Sequence, residues 1–213
     1  SAGYLILNAI KTMEPKAIQE NRTFILGASK VIRCYVLMTY VDMYGRIPYS
    51  EALLGVGNIT PKYDDDEEVY AGILNELDEA IASLSIAGNV DNIEDLYYGR
   101  SAPKWITLAN TLKLKMYNNC NRLTTVGGKN VSSEINTIIA QDNIIDTAAE
   151  DFAFQYGNSR FTPNSRHPLY NDQYENGGGS YIGNYFMWAM TTEKGLSTSD
   201  FTNTITDPGD PRV

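Results

Sequence analysis

The sequence predicts a mainly α-helical fold with a long irregular loop region in its C-terminal third. Apolar residues recur at helical spacing over residues 22–44, 65–86, 102–121 and 131–141. Capping and stop residues bracket these stretches. From about residue 157 the periodicity gives way to Gly, Asn, Ser, Pro and Tyr, with "NGGGS" at 176–180. A chain of 213 residues can bury one sizeable core, or one domain and part of a second.

Taken in order, residues 1–10, "SAGYLILNAI", read as the tail of a helix. They lack the basic n-region and cleavage site of a signal peptide. Over 22–44, Ala28, Val31, Ile32, Tyr35, Val36, Met38 and Thr39 form a broad stripe that predicts burial. Gly45 supplies a left-handed terminator and Pro48 blocks a restart. The helix over 65–86 is the clearest. Asp64 is its expected N-cap, with Glu67 as capping-box partner and further acids in the first turn, where the helix dipole favours them. Its core face is Val69, Tyr70, Ile73, Leu74, Leu77, Ala80, Ile81 and Leu84. The helices over 22–44 and 65–86 are expected to pack antiparallel around Ile32, Val36, Ile73 and Leu77. Ser101 is expected to cap the helix over 102–121, with Pro103 in its first turn and Trp105, Leu108, Ala109, Leu112, Met116 and Cys120 on one side. Ser132 or Ser133 is expected to cap the helix over 131–141, and "FAFQYG" at 152–157 reads as a short strand.

The bulk composition excludes several functions. Seventeen basic against 26 acidic residues give a net charge of −9, which repels a phosphate backbone and argues against nucleic-acid binding. No apolar run approaches the roughly 20 residues of a membrane span. Cys34 and Cys120 read as buried, inert thiols rather than a disulfide. The acids of 64–68 lack the alternating ligands and central Gly of a calcium loop, so no metal or cofactor is expected. The only histidine, His167, sits in a turn, and no G-x-S-x-G elbow is present. "TTVGGKN" at 124–130 lacks the spacing of a phosphate loop. Glu150 and Asp151 are adjacent, and on a strand they would face opposite ways. The reading is a protein that is not an enzyme.

Four stretches then carry a resemblance. "YVDMYGRIPYSEAL" at 40–53 resembles the signature of the SusD/RagB family of outer-membrane, surface-exposed nutrient-binding lipoproteins. "TPKYDDDEEVYAGILNELDEAIASL" resembles that family's long acidic-capped helix. "APKWITLANTLKLKMYNN" resembles its Lys-Trp helix, and "DPGDPRV" its Asp-Pro-Arg turn. All four fall in the family's order; one departure is Arg46, where many members carry an acid. The resemblance implies tetratricopeptide-like helical hairpins in a single domain over 1–213, truncated at both ends. Residues 1–150 would form the helical-repeat part and 151–213 the loop-rich, ligand-binding part. It further implies non-catalytic glycan binding at the outer-membrane surface for delivery to a TonB-dependent, SusC-like transporter, and membrane attachment only through an N-terminal lipid anchor that this chain lacks. Peptide binding and a protein-interaction scaffold are the alternatives. In a helical repeat a long apolar helix needs a packed corner, and Tyr44, Ile47, Pro48 and Tyr49 are expected to fill it.

Sugars are recognised by aromatic faces against the apolar side of the ring and by amides on the hydroxyls. Residues 170–188 fit that chemistry best. Tyr170, Asn171, Tyr174, Tyr181, Asn184, Tyr185 and Trp188 are the expected ligand residues. The competing reading is an ordinary loop whose aromatics pack onto the helices.

Overall fold

The computed structural model describes residues 2–86, 93–161 and 165–175. Its helices α1 (Ala2–Gln19), α2 (Thr23–Tyr44), α3 (Asp66–Leu84), α4 (Ala102–Asn119) and α5 (Val131–Gln141) belong to the first of two units, which ends at Gln155. Each helix packs on the next in sequence, and α2 also packs on α4. This is the hairpin arrangement expected.

The α2/α3 pair is antiparallel, because the contacts run in opposite order along the two helices. Lys30 reaches Glu79 at 2.5 Å, Arg33 reaches Glu76 at 2.7 Å, and Tyr70 donates to Asp42. Gly27 lets the helices close up, since a Cβ there would lie 2.5 Å from Leu84 Cγ. The α3 face is as read from its periodicity, with Ile81 only half-buried. The α2 face differs. Its buried line is Phe24, Ala28, Val31, Cys34, Leu37, Met38 and Val41, while Tyr35 and Thr39 are exposed and Ile32 and Val36 half-buried. A helix that is apolar almost all round gives periodicity no single answer. The Lys30 and Arg33 ion pairs mark the edge of its contact with α3.

By length and composition α2 could cross a membrane, contrary to the expectation that no segment reaches that length. Here it is the core helix, half of its apolar window buried within the protein. Helix α1 continues past the expected ten residues and through Pro15 to Gln19, because Leu7, Ile10 and Ala17 keep one buried face against the core.

The corner after α2 shows a second difference. Gly45, at φ +71°, ends the helix and donates its N–H to Val41 O at 2.8 Å. Ile47 then pairs with Asp64, whose N–H donates to Ile47 O at 2.9 Å. Asp64 is therefore not the N-cap. That position is held by Asp65, without a side-chain cap bond, and no capping box with Glu67 forms. Asp64 is 3% exposed, and its carboxylate accepts the N–H of Tyr49 at 3.0 Å and of Ser50 at 2.8 Å. The Ser50 hydroxyl donates at 2.8 Å and Lys62 Nζ lies 2.9 Å away. Of the expected corner residues, Ile47 is buried, Pro48 and Tyr49 are half-buried, and Tyr44 is exposed.

Of the two later caps, one stands where expected and one does not. Ser101 stands at the α4 N-cap position without a side-chain bond. The α5 cap is Asn130, whose side chain accepts from Ser133 N–H at 2.9 Å; neither Ser132 nor Ser133 fills the role. "TTVGGKN" is a hairpin of β1 (Thr125–Val126) and β2 (Lys129–Asn130). Its turn residues Gly127 and Gly128, at φ +56° and +77°, have the backbone that a tight two-residue hairpin turn needs. Residues 152–157 form no strand. Phe152 instead packs into an aromatic cluster, 4.3 Å from Tyr97 and 5.7 Å from Trp105 between ring centroids. Cys34 is buried, Cys120 half-buried, and both are free.

Candidate ligand-binding site

The second unit begins at Tyr156 and contains the predicted aromatic segment. Its described part is a pinched loop running into a helical turn. Gly157 N–H donates to Ser165 O at 2.8 Å, and Ser165 N–H to Ser159 O at 3.2 Å. Pro168–Tyr170 then forms one helical turn, which widens into a π turn over Asn171–Glu175. Proline suits the first helical position because its missing N–H would have no partner there. His167 anchors the turn. Its Nδ1 accepts Leu169 N–H at 3.1 Å, and its carbonyl accepts Tyr170 N–H at 2.9 Å.

This geometry brings Tyr170 and Tyr174 together, with ring centroids 5.1 Å apart and planes 31° to each other. Tyr174 is 76% exposed and Tyr170 42%. The Arg166 guanidinium carbon lies 5.2 Å from the Tyr170 centroid, within cation–π range. The same guanidinium donates to Glu175 Oε1 at 2.6 Å, and Arg160 donates to that oxygen at 2.8 Å. The bond from Arg166, then that from Arg160, holds the Glu175 carboxyl below its ordinary value. The result is a pair of exposed phenol rings beside a closed cluster of charge. Such rings can desolvate against the apolar face of a sugar and offer hydroxyls at its rim.

Of the predicted ligand residues, Tyr170 and Tyr174 form this pair and Asn171 occupies the turn between them. Tyr181, Asn184, Tyr185 and Trp188 lie outside the described residues. Arg166, which the sequence reading did not single out, lies in the bend before Pro168, and its contact with Tyr170 comes from the turn and not from helical spacing. Among the described residues, no cluster of three or more His, Cys, Asp or Glu could hold a metal. Glu150 caps its own turn, accepting the Thr147 hydroxyl at 3.1 Å.

The helical unit has hollows of its own. One of about 390 Å3 is lined by Asp42, Tyr70 and Asn119, whose polar groups bond one another. Another, of about 360 Å3, contains Arg33 closed between Glu76 at 2.7 Å and Glu14 at 3.3 Å, with the Tyr49 hydroxyl donating to Glu76 at 3.1 Å.

Comparison with known proteins places the chain and its fold. The SusD-like family model, described as starch-binding and associating with the outer membrane, matches residues 2–213. A solved SusD homologue from Bacteroides fragilis is 31% identical, with a TM-score of 0.70, over 80% of this chain and 36% of its own. A SusD-like protein of the Bacteroidetes is 25% identical, with a TM-score of 0.63, over 88% of this chain and 35% of its own. A chitin-binding protein shares the fold at 23% identity and a TM-score of 0.57, over 70% of this chain and 30% of its own. The chain thus spans about a third of the length of the solved structures it matches. No curated protein matches it.

Proposed function

The chain belongs to the SusD-like family, and on that footing we propose that it is part of a non-catalytic, surface-exposed nutrient-binding lipoprotein of the outer membrane. Its ligand is a neutral glycan, delivered to a TonB-dependent, SusC-like transporter. The observation that carries the ligand class is the exposed Tyr170/Tyr174 pair, set in a segment dense in aromatic and amide side chains. The family description, starch-binding, agrees with that chemistry. Support for a non-catalytic role comes from His167, whose Nδ1 is occupied within its own turn, and from Glu150, which does the same in another.

Affinity electrophoresis through gels containing starch, a β-glucan, chitosan or pectin tests the ligand class, with reducing-sugar release followed in parallel. Retardation by a neutral polysaccharide without release of reducing ends is the expected result. Release of reducing ends would make the protein a hydrolase. Retardation by none of the gels, with binding to peptides instead, would make the nutrient a peptide.

A further inference from the structure

We propose that the exposed face of Tyr44 is a second carbohydrate-stacking site, on the helical unit, taking a pyranose ring of a neutral glycan. The inference rests on the glycan reading above. It starts from a row of three rings. Tyr4 lies 5.5 Å from Tyr40, and Tyr40 lies 5.9 Å from Tyr44 with planes only 21° apart.

The first two rings are fixed by the main chain. The Tyr4 hydroxyl donates to Pro48 O at 2.7 Å, and the Tyr40 hydroxyl accepts Gly3 N–H at 3.0 Å. Gly3 makes the close approach possible, because a Cβ there would lie 2.2 Å from the Tyr40 ring. Tyr44 ends the row, 65% exposed, its ring nearly parallel to that of Tyr40.

The corner does not need this ring. Ile47, 3% exposed, fills it, and Asp64 ties the turn down. Two residues beyond Tyr44, Arg46 pairs with Asp65 at 2.5 Å, both side chains more than half exposed. An exposed phenol ring, two residues in sequence from an exposed guanidinium paired with a carboxylate, suits a sugar, whose C–H face is apolar and whose rim carries hydroxyls.

The test uses the 213-residue chain with maltoheptaose and chitohexaose, read by calorimetry and by saturation transfer to the sugar ring protons. The variants are Tyr170→Ala/Tyr174→Ala, the same pair with Tyr44→Ala or Tyr44→Phe, and Lys115→Ala as a remote control. Circular dichroism confirms the fold of each. With the first pair removed, binding that remains should weaken about tenfold on Tyr44→Ala and survive Tyr44→Phe, which keeps the ring. Loss of all binding in the Tyr170→Ala/Tyr174→Ala variant overturns this inference and leaves the glycan reading standing. Remaining binding that ignores Tyr44→Ala overturns it as well. So does a Tyr44-dependent dimer, seen by light scattering, that leaves sugar affinity unchanged. Failure of the unmodified chain to bind either sugar overturns this inference along with the glycan reading for these ligands.

Discussion

The carboxylate of Asp64 accepts the main-chain N–H of Ser50 at 2.8 Å, across 14 residues of sequence. With the Tyr49 N–H and the Ser50 hydroxyl on the same carboxylate, it fastens the turn that follows α2 to the start of α3. Removing a buried acceptor strands the donors that faced it. Asp64→Ala should therefore cost about 2 kcal/mol or more. Asp65→Ala, at the N-cap position but without a cap bond and with an exposed ion pair, should cost well under about 1 kcal/mol. Urea midpoints at unchanged slope measure both. The reverse order would restore Asp64 as a mere helix cap.

Acid should weaken the same fastening. Burial alone would raise the Asp64 carboxyl, but the bonds from Lys62, Ser50 and Tyr49 outweigh it and bring it below its ordinary value. Asp78, between Lys113 and Lys129, and Asp95, facing Trp105 and three main-chain N–H groups, are likewise lowered against burial. A carboxyl lower in the folded state contributes stability above its unfolded value of about 3.9. That contribution is lost as pH falls below it, because the unfolded chain then binds more protons. The urea midpoint should be nearly flat from about pH 6 to 5 and fall steeply below about pH 4. Asp64→Asn should flatten that fall. A midpoint that holds to pH 3 would contradict the assignment.

Trp105 is 2% exposed, and its indole N–H donates to Asp95 at 2.8 Å. Trp105→Ala should cost about 3–5 kcal/mol, the range for a large aromatic lost from a core. Trp105→Phe should cost less, yet more than its lost volume alone, since it takes one donor from the half-buried Asp95 carboxylate. Thermal and urea unfolding should agree on that order.

Gly72 lies under Tyr49. A Cβ at Gly72 would sit 2.3 Å from the Tyr49 hydroxyl oxygen, so the phenol would have to leave its bond with Glu76. Gly72→Ala should destabilise by about 1–3 kcal/mol, although alanine is the better helix former. Combined with Tyr49→Ala its own cost should shrink or reverse, a coupling that a double-mutant cycle reads directly.

How much was legible in the sequence follows from the range of the forces involved. The face of α3 could be read residue by residue because polar positions bound it on both sides. The face of α2 could not, because Tyr35 and Val36 are as apolar as Cys34 and Leu37; only the ion pairs to α3 distinguish them. Asp64 and Glu67 have the spacing of a local cap, and nothing local reveals that the partners of Asp64 lie 14 and 15 residues back. Phe152 has strand propensity but finds aromatic rings to pack on, and ring stacking sets its conformation. At the candidate site, composition alone singles out Tyr170 and Tyr174 as candidates. Their pairing depends on the π turn after Pro168, and the Arg166 contact with Tyr170 depends on the turn anchored by His167.

Whether the aromatic segment binds sugar is decided by calorimetric titration of a neutral oligosaccharide that the unmodified protein binds, at low and high salt, into that protein and into Tyr174→Ala, Tyr170→Ala and Trp188→Ala. A stacked aromatic anchor carries about 2 kcal/mol, roughly thirtyfold in affinity, and a neutral ligand forms few ion pairs for salt to screen. A loss of about that size is expected for at least one of the three, with an unchanged melting temperature and an affinity nearly independent of salt. Three variants that bind as tightly as the unmodified protein would make residues 170–188 a packing loop and place the glycan elsewhere.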